Sequence, residues 1–350
     1  MRIKFLFPLL GLILSCSLYQ DTDLPDIFFE YHDFDILPLG RTFSDMIITE
    51  NNQSVFLTDY NNNSIIKIDV NSEMAVSGEI EIGSHPVALD LNSDNSVIAI
   101  AFEGESSIIT VETDQFQIIS EYSIPLMNVN DIAFFNDSIV VISSRTDPAC
   151  ISLNLNSMEY VNQSVLNGEL AMDQANKILY VATSSSVKKY NWDGERFSQD
   201  PNISDPYGFV GDIHHFVFNA TNNTIFACIS TSNDEESNIQ HIYSYSGSDM
   251  TFAGKYLIKS PGLAVAVSNN GNRVFTAPTD ADEIGVFIIE FDQESKLESY
   301  YYLSAGNLTD RGLVVDSNDQ NLYILVNIPG DDDSFEPYND YSFDLQRIKL

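Results

Sequence analysis

From about residue 30 onward the chain alternates short apolar runs with polar turns rich in Asn and Asp, and no stretch there sustains a helical period. Seven times a polar turn is followed by a β-prone run: Val55-Phe56-Leu57, Val97-Ile98-Ala99, Ile139-Val140-Val141, Ile178-Leu179-Tyr180, Ile225-Phe226-Ala227, Val274-Phe275-Thr276 and Leu322-Tyr323-Ile324. Their first residues lie 42, 42, 39, 47, 49 and 48 positions apart. Another apolar run precedes each turn, as in Met46-Ile47-Ile48 or Phe216-Val217-Phe218. An alternating third segment follows, such as Ser64 to Asp69, and then a fourth, such as Gly78 to Ile82.

Four short strands per repeat, seven times over, predict an all-β, seven-bladed β-propeller with four-stranded antiparallel blades. The last repeat ends after three strands, near Gly312–Val315, Leu322–Val326 and Phe343–Lys349. The segment Phe34 to Gly40 has the pattern of the missing fourth, so the last blade is expected to be closed by an N-terminal strand. Such closure removes the free sheet edges that invite aggregation. The propeller is assigned to residues 29–350 and is expected to act as a monomer.

Within blade 1 the order is Phe56-Leu57-Thr58-Asp59, then Ile65-Ile66-Lys67-Ile68-Asp69, then Ile80-Glu81-Ile82-Gly83-Ser84-His85-Pro86. This resembles the YVTN family of β-propeller repeats, and Tyr180-Val181-Ala182-Thr183 and Tyr323 to Asn327 echo the same element. The Gly-x-x-Pro step is complete only at Gly83 to Pro86. WD repeats are the alternative, but the one Trp-Asp pair is Trp192-Asp193, and no Gly-His partner recurs.

The N-terminus follows different rules. Arg2 and Lys4 precede an apolar run from Phe5 to Leu14. Ten helical residues reach about 15 Å, half of a bilayer core, so the run is an export signal and not a span. Ile13-Leu14-Ser15-Cys16 follows and resembles the lipobox of bacterial lipoproteins. That resemblance implies cleavage after residue 15, lipidation of Cys16 and a membrane anchor. Ser17 after the Cys resembles lipoproteins sorted to the outer membrane, and residues 16–28 read as an acidic tether.

Charge narrows the partners. With 51 acidic and 16 basic residues the formal net charge is −35, which repels a polyphosphate and excludes nucleic acid. Hydrophobic residues make up 44% of the chain, enough for a large core, so it is no disordered acidic tail. Cys150 and Cys228 sit in apolar runs and read as buried thiols. Eight Asn-x-Ser/Thr sequons, starting at Asn52, Asn62, Asn136, Asn162, Asn202, Asn219, Asn222 and Asn307, matter only in a eukaryotic secretory pathway.

A propeller carries its chemistry in loops. The loops between blades are expected to carry Asp45, His85, Asp131, Asp212, His214, His215, Asp310 and Arg311 around the channel. Alternation sends at most one of His214 and His215 toward the channel. Asp310-Arg311 reads as a loop ion pair more than as a mouth-lining pair. Loops joining second to third strands are acidic, and Asp331, Asp332 and Asp333 with Glu336 are weak candidates for Ca²⁺. No Gly-x-Ser-x-Gly, His-Glu-x-x-His, Cys-x-x-Cys or phosphate-binding glycine loop occurs. The leading reading is a lipid-anchored envelope module that binds or scaffolds, with no catalytic residue and no cofactor assigned. The alternative is an enzyme: seven-bladed lactonases resemble these repeats, and that likeness implies Ca²⁺ held by channel carboxylates. A redox subunit like the quinoprotein amine dehydrogenases lacks the Cys or His ligand motifs it would need.

Overall fold

The computed structural model describes residues 34–146, 150–163, 165, 167–183, 186–203, 211–231, 240–258, 262–278, 287–303, 307–329 and 341–350. The export signal and tether lie outside these residues. Twenty-eight strands form seven four-stranded antiparallel sheets, each built from sequence-adjacent strands except one. The inner strands, in chain order, are Phe43–Ile48, Pro86–Leu91, Val129–Asn136, Glu169–Asp173, Gly211–Asn219, Gly262–Val267 and Asn307–Val315. We number the blades 1 to 7 in that order. The exception is blade 7, where the N-terminal strand Phe34–Pro38 pairs outside the C-terminal strand Tyr341–Lys349, from Phe34 opposite Ile348 to Pro38 opposite Asp344. The expected closure is present.

The apolar runs look continuous because both faces of a central strand are buried. In blade 2, Ile98, Ile100 and Phe102 point into a cluster shared with blade 1, while Ala99 and Ala101 point into one shared with blade 3. Among the described residues there are seven such clusters, one at each blade–blade boundary. Fully burying one side chain of this kind contributes roughly 1.5–3 kcal/mol, so the core is spread around the ring and has no single centre. Cys150 and Cys228 lie in two of these clusters, and burial pushes both thiols up to about 12, which makes them inert at neutral pH.

Asn and Asp turns connect the first and second strands on the face opposite the channel mouth. Asn52, Asn95, Asn223 and Asp319 hold φ between 51° and 60°, a left-handed conformation that Asn and Asp tolerate better than other side chains. The same turns reach the next blade. Asn52 Nδ2 donates to Ser317 Oγ (2.9 Å), Glu50 N to Asn95 Oδ1 (2.9 Å), Ser93 Oγ to Asp137 Oδ1 (2.6 Å) and Asn219 Nδ2 to Ser268 O (2.9 Å). Three of the sequon asparagines, Asn52, Asn219 and Asn222, are committed to these turns.

Candidate functional site

Each inner strand starts at the mouth of the channel, and most start with a bulge. In blades 1, 2, 3 and 5 the pairing to the second strand slips at Phe43/Asp45, Pro86/Ala88, Val129/Asp131 and Ile213/His215. A bulge re-aims the following side chain, here toward the axis. Asp45, Asp131, Asp212, His215, Asp310 and Arg311 are therefore strand residues and not loop residues. The sequence reading placed them in loops because the bulge breaks alternation just before the apolar run.

The inward residues link neighbouring blades through the backbone. Asp45 Oδ2 accepts from Leu89 N of blade 2 (3.0 Å), and Asp131 Oδ2 accepts from Leu170 N of blade 4 (2.7 Å). Two positions deeper, Asp90 Oδ2 accepts from Phe134 N of blade 3 (2.7 Å). His215 Nδ1 accepts from Val265 N of blade 6 (3.3 Å), which leaves its proton on Nε2. The side chains of His214 and Asp212 lie outside the described set, as do Asp331, Asp332, Asp333 and Glu336.

Arg311 fills the middle of this ring. In blade 7, Leu308 pairs with Val326 and Leu313 with Ile324, so the four residues between them oppose Leu325 alone. Thr309 Oγ1 ties the bulge back to Leu325 O (3.0 Å), and a Cβ on Gly312 would lie 2.7 Å from the same carbonyl oxygen. Arg311 itself takes φ 56°, a strained value for a long side chain. Its guanidinium reaches Asp45 Oδ2 at 3.2 Å, Asp131 Oδ1 at 3.1 Å and Glu169 Oε2 at 2.6 Å, with 11% of the side chain exposed. One cation thus joins blades 7, 1, 3 and 4. Asp310, the neighbour with which Arg311 is expected to pair, is exposed at the rim.

Glu169 and the deeper Asp90 are the members that sequence reasoning missed. The strand of Glu169 has no bulge; a Cβ on Gly168 would sit 1.9 Å from Ala182 O, so only glycine lets the strand close up there. A signal was present, because Glu169 occupies the same position before its apolar run as Asp45, Asp131 and His215 do before theirs.

Three inward carboxylates, Asp45, Asp131 and Glu169, meet one guanidinium, and burial raises the proton affinity of Asp45, Asp90 and Glu169. Burial lifts Asp45 to about 6 and Asp90 to about 7, against the opposing pull of Arg311 on Asp45 and of the Phe134 amide on Asp90. Glu169 moves up for the same reason. Burial, helped by the charge of Arg311, pushes His215 down to about 3, so it is neutral. Burial opposes the charge on Arg311 as well, but Asp131, Glu169 and Asp45 more than offset it.

Above this hub lies a polar cup of about 400 Å³. Glu169 and Arg311 form its floor; Tyr60, Glu103 and Arg145 stand on its walls and Asp310 on its rim. Tyr60 Oη donates to Glu103 Oε2 (2.8 Å), and the Arg145 guanidinium lies 3.9 Å from Glu103. His85, at φ 51°, packs its ring on Tyr60 with centroids 4.6 Å apart, just behind the wall. A second cavity, about 360 Å³ between blades 1 and 2, is spanned by Lys67, which donates to Thr113 O (2.6 Å) and joins the two blades. Among the described residues no group of three or more His, Cys, Asp or Glu is arranged to hold a metal ion.

The molecule is similar to the Kuenenia stuttgartiensis hydrazine synthase structure at 12% identity and TM-score 0.63, over 81% of this chain and 92% of that one. It is similar to U3-55K at 14% identity and TM-score 0.67, over 90% and 98% of the chains. It is also similar to the WD40 repeats of RRP9 at 14% and 0.66, over 90% and 97%. No protein-family model matches the chain, and a search of curated proteins finds no match. At 12–14% identity these likenesses concern fold alone, and the fold they share with this chain is the seven-bladed β-propeller.

Proposed function

We propose that this propeller is a binding module of the bacterial cell envelope, held at the outer membrane by lipid on Cys16 and built from YVTN-like repeats, and that its cup receives a positively charged group. The observation that carries the reading is the hub. Asp45, Asp90 and Asp131 accept backbone amides of the next blade, and Asp45, Asp131 and Glu169 hold Arg311. These carboxylates are committed to the ring, and a channel Ca²⁺ of the lactonase kind would have to displace a buried guanidinium. The cup above keeps Glu103 and Asp310 accessible beside an aromatic wall, in a chain of strongly negative charge. A cation is drawn to such a mouth, and one from a basic partner chain needs no further chemistry to be held.

Two measurements test the two halves. Cys16→Ser should leave a folded propeller that no longer fractionates with membranes; a cleaved mutant that stays membrane-bound sinks the anchor. Hexalysine, titrated by calorimetry at fixed ionic strength, should bind, hexaglutamate should not, and Glu103→Gln with Asp310→Asn should weaken hexalysine by about tenfold, within the range of single-site couplings. Hexalysine binding that this double variant leaves unchanged would show only general attraction to the acidic surface.

A further inference from the structure

The cup and the hub share two residues, Glu169 and Arg311, so whatever alters their pairing alters the floor of the cup. The charge count at the hub is unbalanced. Glu169 is faced by Arg311 from blade 7, Asp131 from blade 3 and Asp45 from blade 1; Asp90 of blade 2 lies deeper, His215 of blade 5 is neutral, and blade 6 contributes Ala264 at this level. One guanidinium cannot neutralise four inward carboxylates taken largely out of water.

We propose that proton uptake at Glu169 and Asp45 is the switch of this cup: it loosens Arg311 from two of its three carboxylates, makes the floor less negative, and releases the bound cation. The proposal rests on the cup being the binding site, but its first step does not need a ligand. Three features support it. Glu169 is the hub carboxylate nearest the solvent of the cup, with 17% of its side chain exposed, so a proton reaches it without unfolding. Among the described residues, Glu169 accepts no next-blade backbone amide of the kind that Asp45, Asp90 and Asp131 accept. Arg311 sits on a wide bulge at positive φ, backbone with a reason to relax once its partners let go.

The direct readout is the Arg311 side-chain Nε–Hε signal of the ligand-free protein, assigned by its loss in Arg311→Met. Between pH 8 and pH 5.5 it should shift in a single titration with its midpoint near neutrality, and its hydrogen exchange should quicken on the acid side. In Glu169→Gln the signal should start nearer its acid position at pH 8 and move less, the remaining change coming from Asp45. A wild-type Arg311 signal that stays fixed and protected from pH 8 to pH 5.5 overturns the switch, however hexalysine behaves. If the signal does titrate, hexalysine should bind about tenfold more weakly at pH 5.5 than at pH 8. Equal binding at both pH values would overturn the coupling to the cup, while no binding at either would overturn the cup itself and leave the Arg311 titration standing.

Discussion

Arg311 at the hub and Arg347 near the outer edge both tie the last blade to the first, by opposite means. Arg311 meets side-chain carboxylates from three other blades and almost no water. Arg347, on the C-terminal strand, meets Asp35 of the closing N-terminal strand at 2.5 Å and two carbonyl oxygens of blade 1, Val70 O at 2.6 Å and Ser72 O at 2.8 Å. Carbonyl dipoles do not titrate and need no counter-charge, so two of the three outer partners are insensitive to pH. The hub tie depends on how many protons its acids carry. The comparison separates the two jobs of closing a ring: the outer edge supplies strand pairing, and the hub supplies long-range charge.

Removing strand pairing should cost most. Deleting residues 29–40 takes away the strand that covers the C-terminal strand and exposes an unpaired edge. The expected result is aggregation, or loss of one cooperative melting transition; a monomer with unchanged melting would show the outer tie to be dispensable. Next comes Arg311→Met, which leaves buried carboxylates without their cation and should cost about 3–5 kcal/mol in urea unfolding at pH 8. Because those acids can then take protons, the loss should shrink at pH 5.5. Arg347→Met leaves the Val70 and Ser72 carbonyls without their donor and should cost about 1–3 kcal/mol, equally at both pH values. If the two arginine variants respond alike to pH, the distinction between hub and edge fails.

The smallest expected effect is the pH profile of the unaltered protein. Asp45, Asp90 and Glu169 are raised in the folded state, so their contribution is fully present below the unfolded carboxylate range and is lost as pH rises through about 6 to 7. His215 is lowered and acts in the opposite sense, its contribution fading as pH falls below about 6.5. Three groups outweigh one, so the melting temperature should climb from pH 8 toward pH 5. Below pH 4 it should fall again, as acids lowered by local hydrogen bonds, such as Asp200 with Asn202 and Asp292 with Ser295, lose their charge. Glu169→Gln should flatten the limb between pH 6 and pH 8, and a flat limb in the wild type would contradict the burial of these acids.

The fold was legible because its signal is local and repeated. Val55-Phe56-Leu57 and its six counterparts each carry the same pattern of turn and strand, and even the closing strand shows itself by likeness to Glu79 to Gly83. The hub was legible only in part. Asp131, His215 and Arg311 were singled out as candidates near the channel, yet Arg311 was paired with its neighbour Asp310. Its partners Asp45 and Asp131 lie 266 and 180 positions away, a separation no local pattern encodes. The bulges disguised the setting of the named residues, since an extra residue moves an inward side chain out of the alternating count and makes a strand start look like a loop.

The hub also acts as a gauge of repeat number. Chains made of repeats commonly change by gaining or losing a unit, and an open solenoid absorbs such a change at little cost. Here Arg311 is met by acids at fixed places around the circle, so a duplicated or lost blade would leave its charge facing the wrong neighbours. Single substitutions and loop insertions remain open routes for variation in this molecule, while unequal duplication within the ring is closed to it.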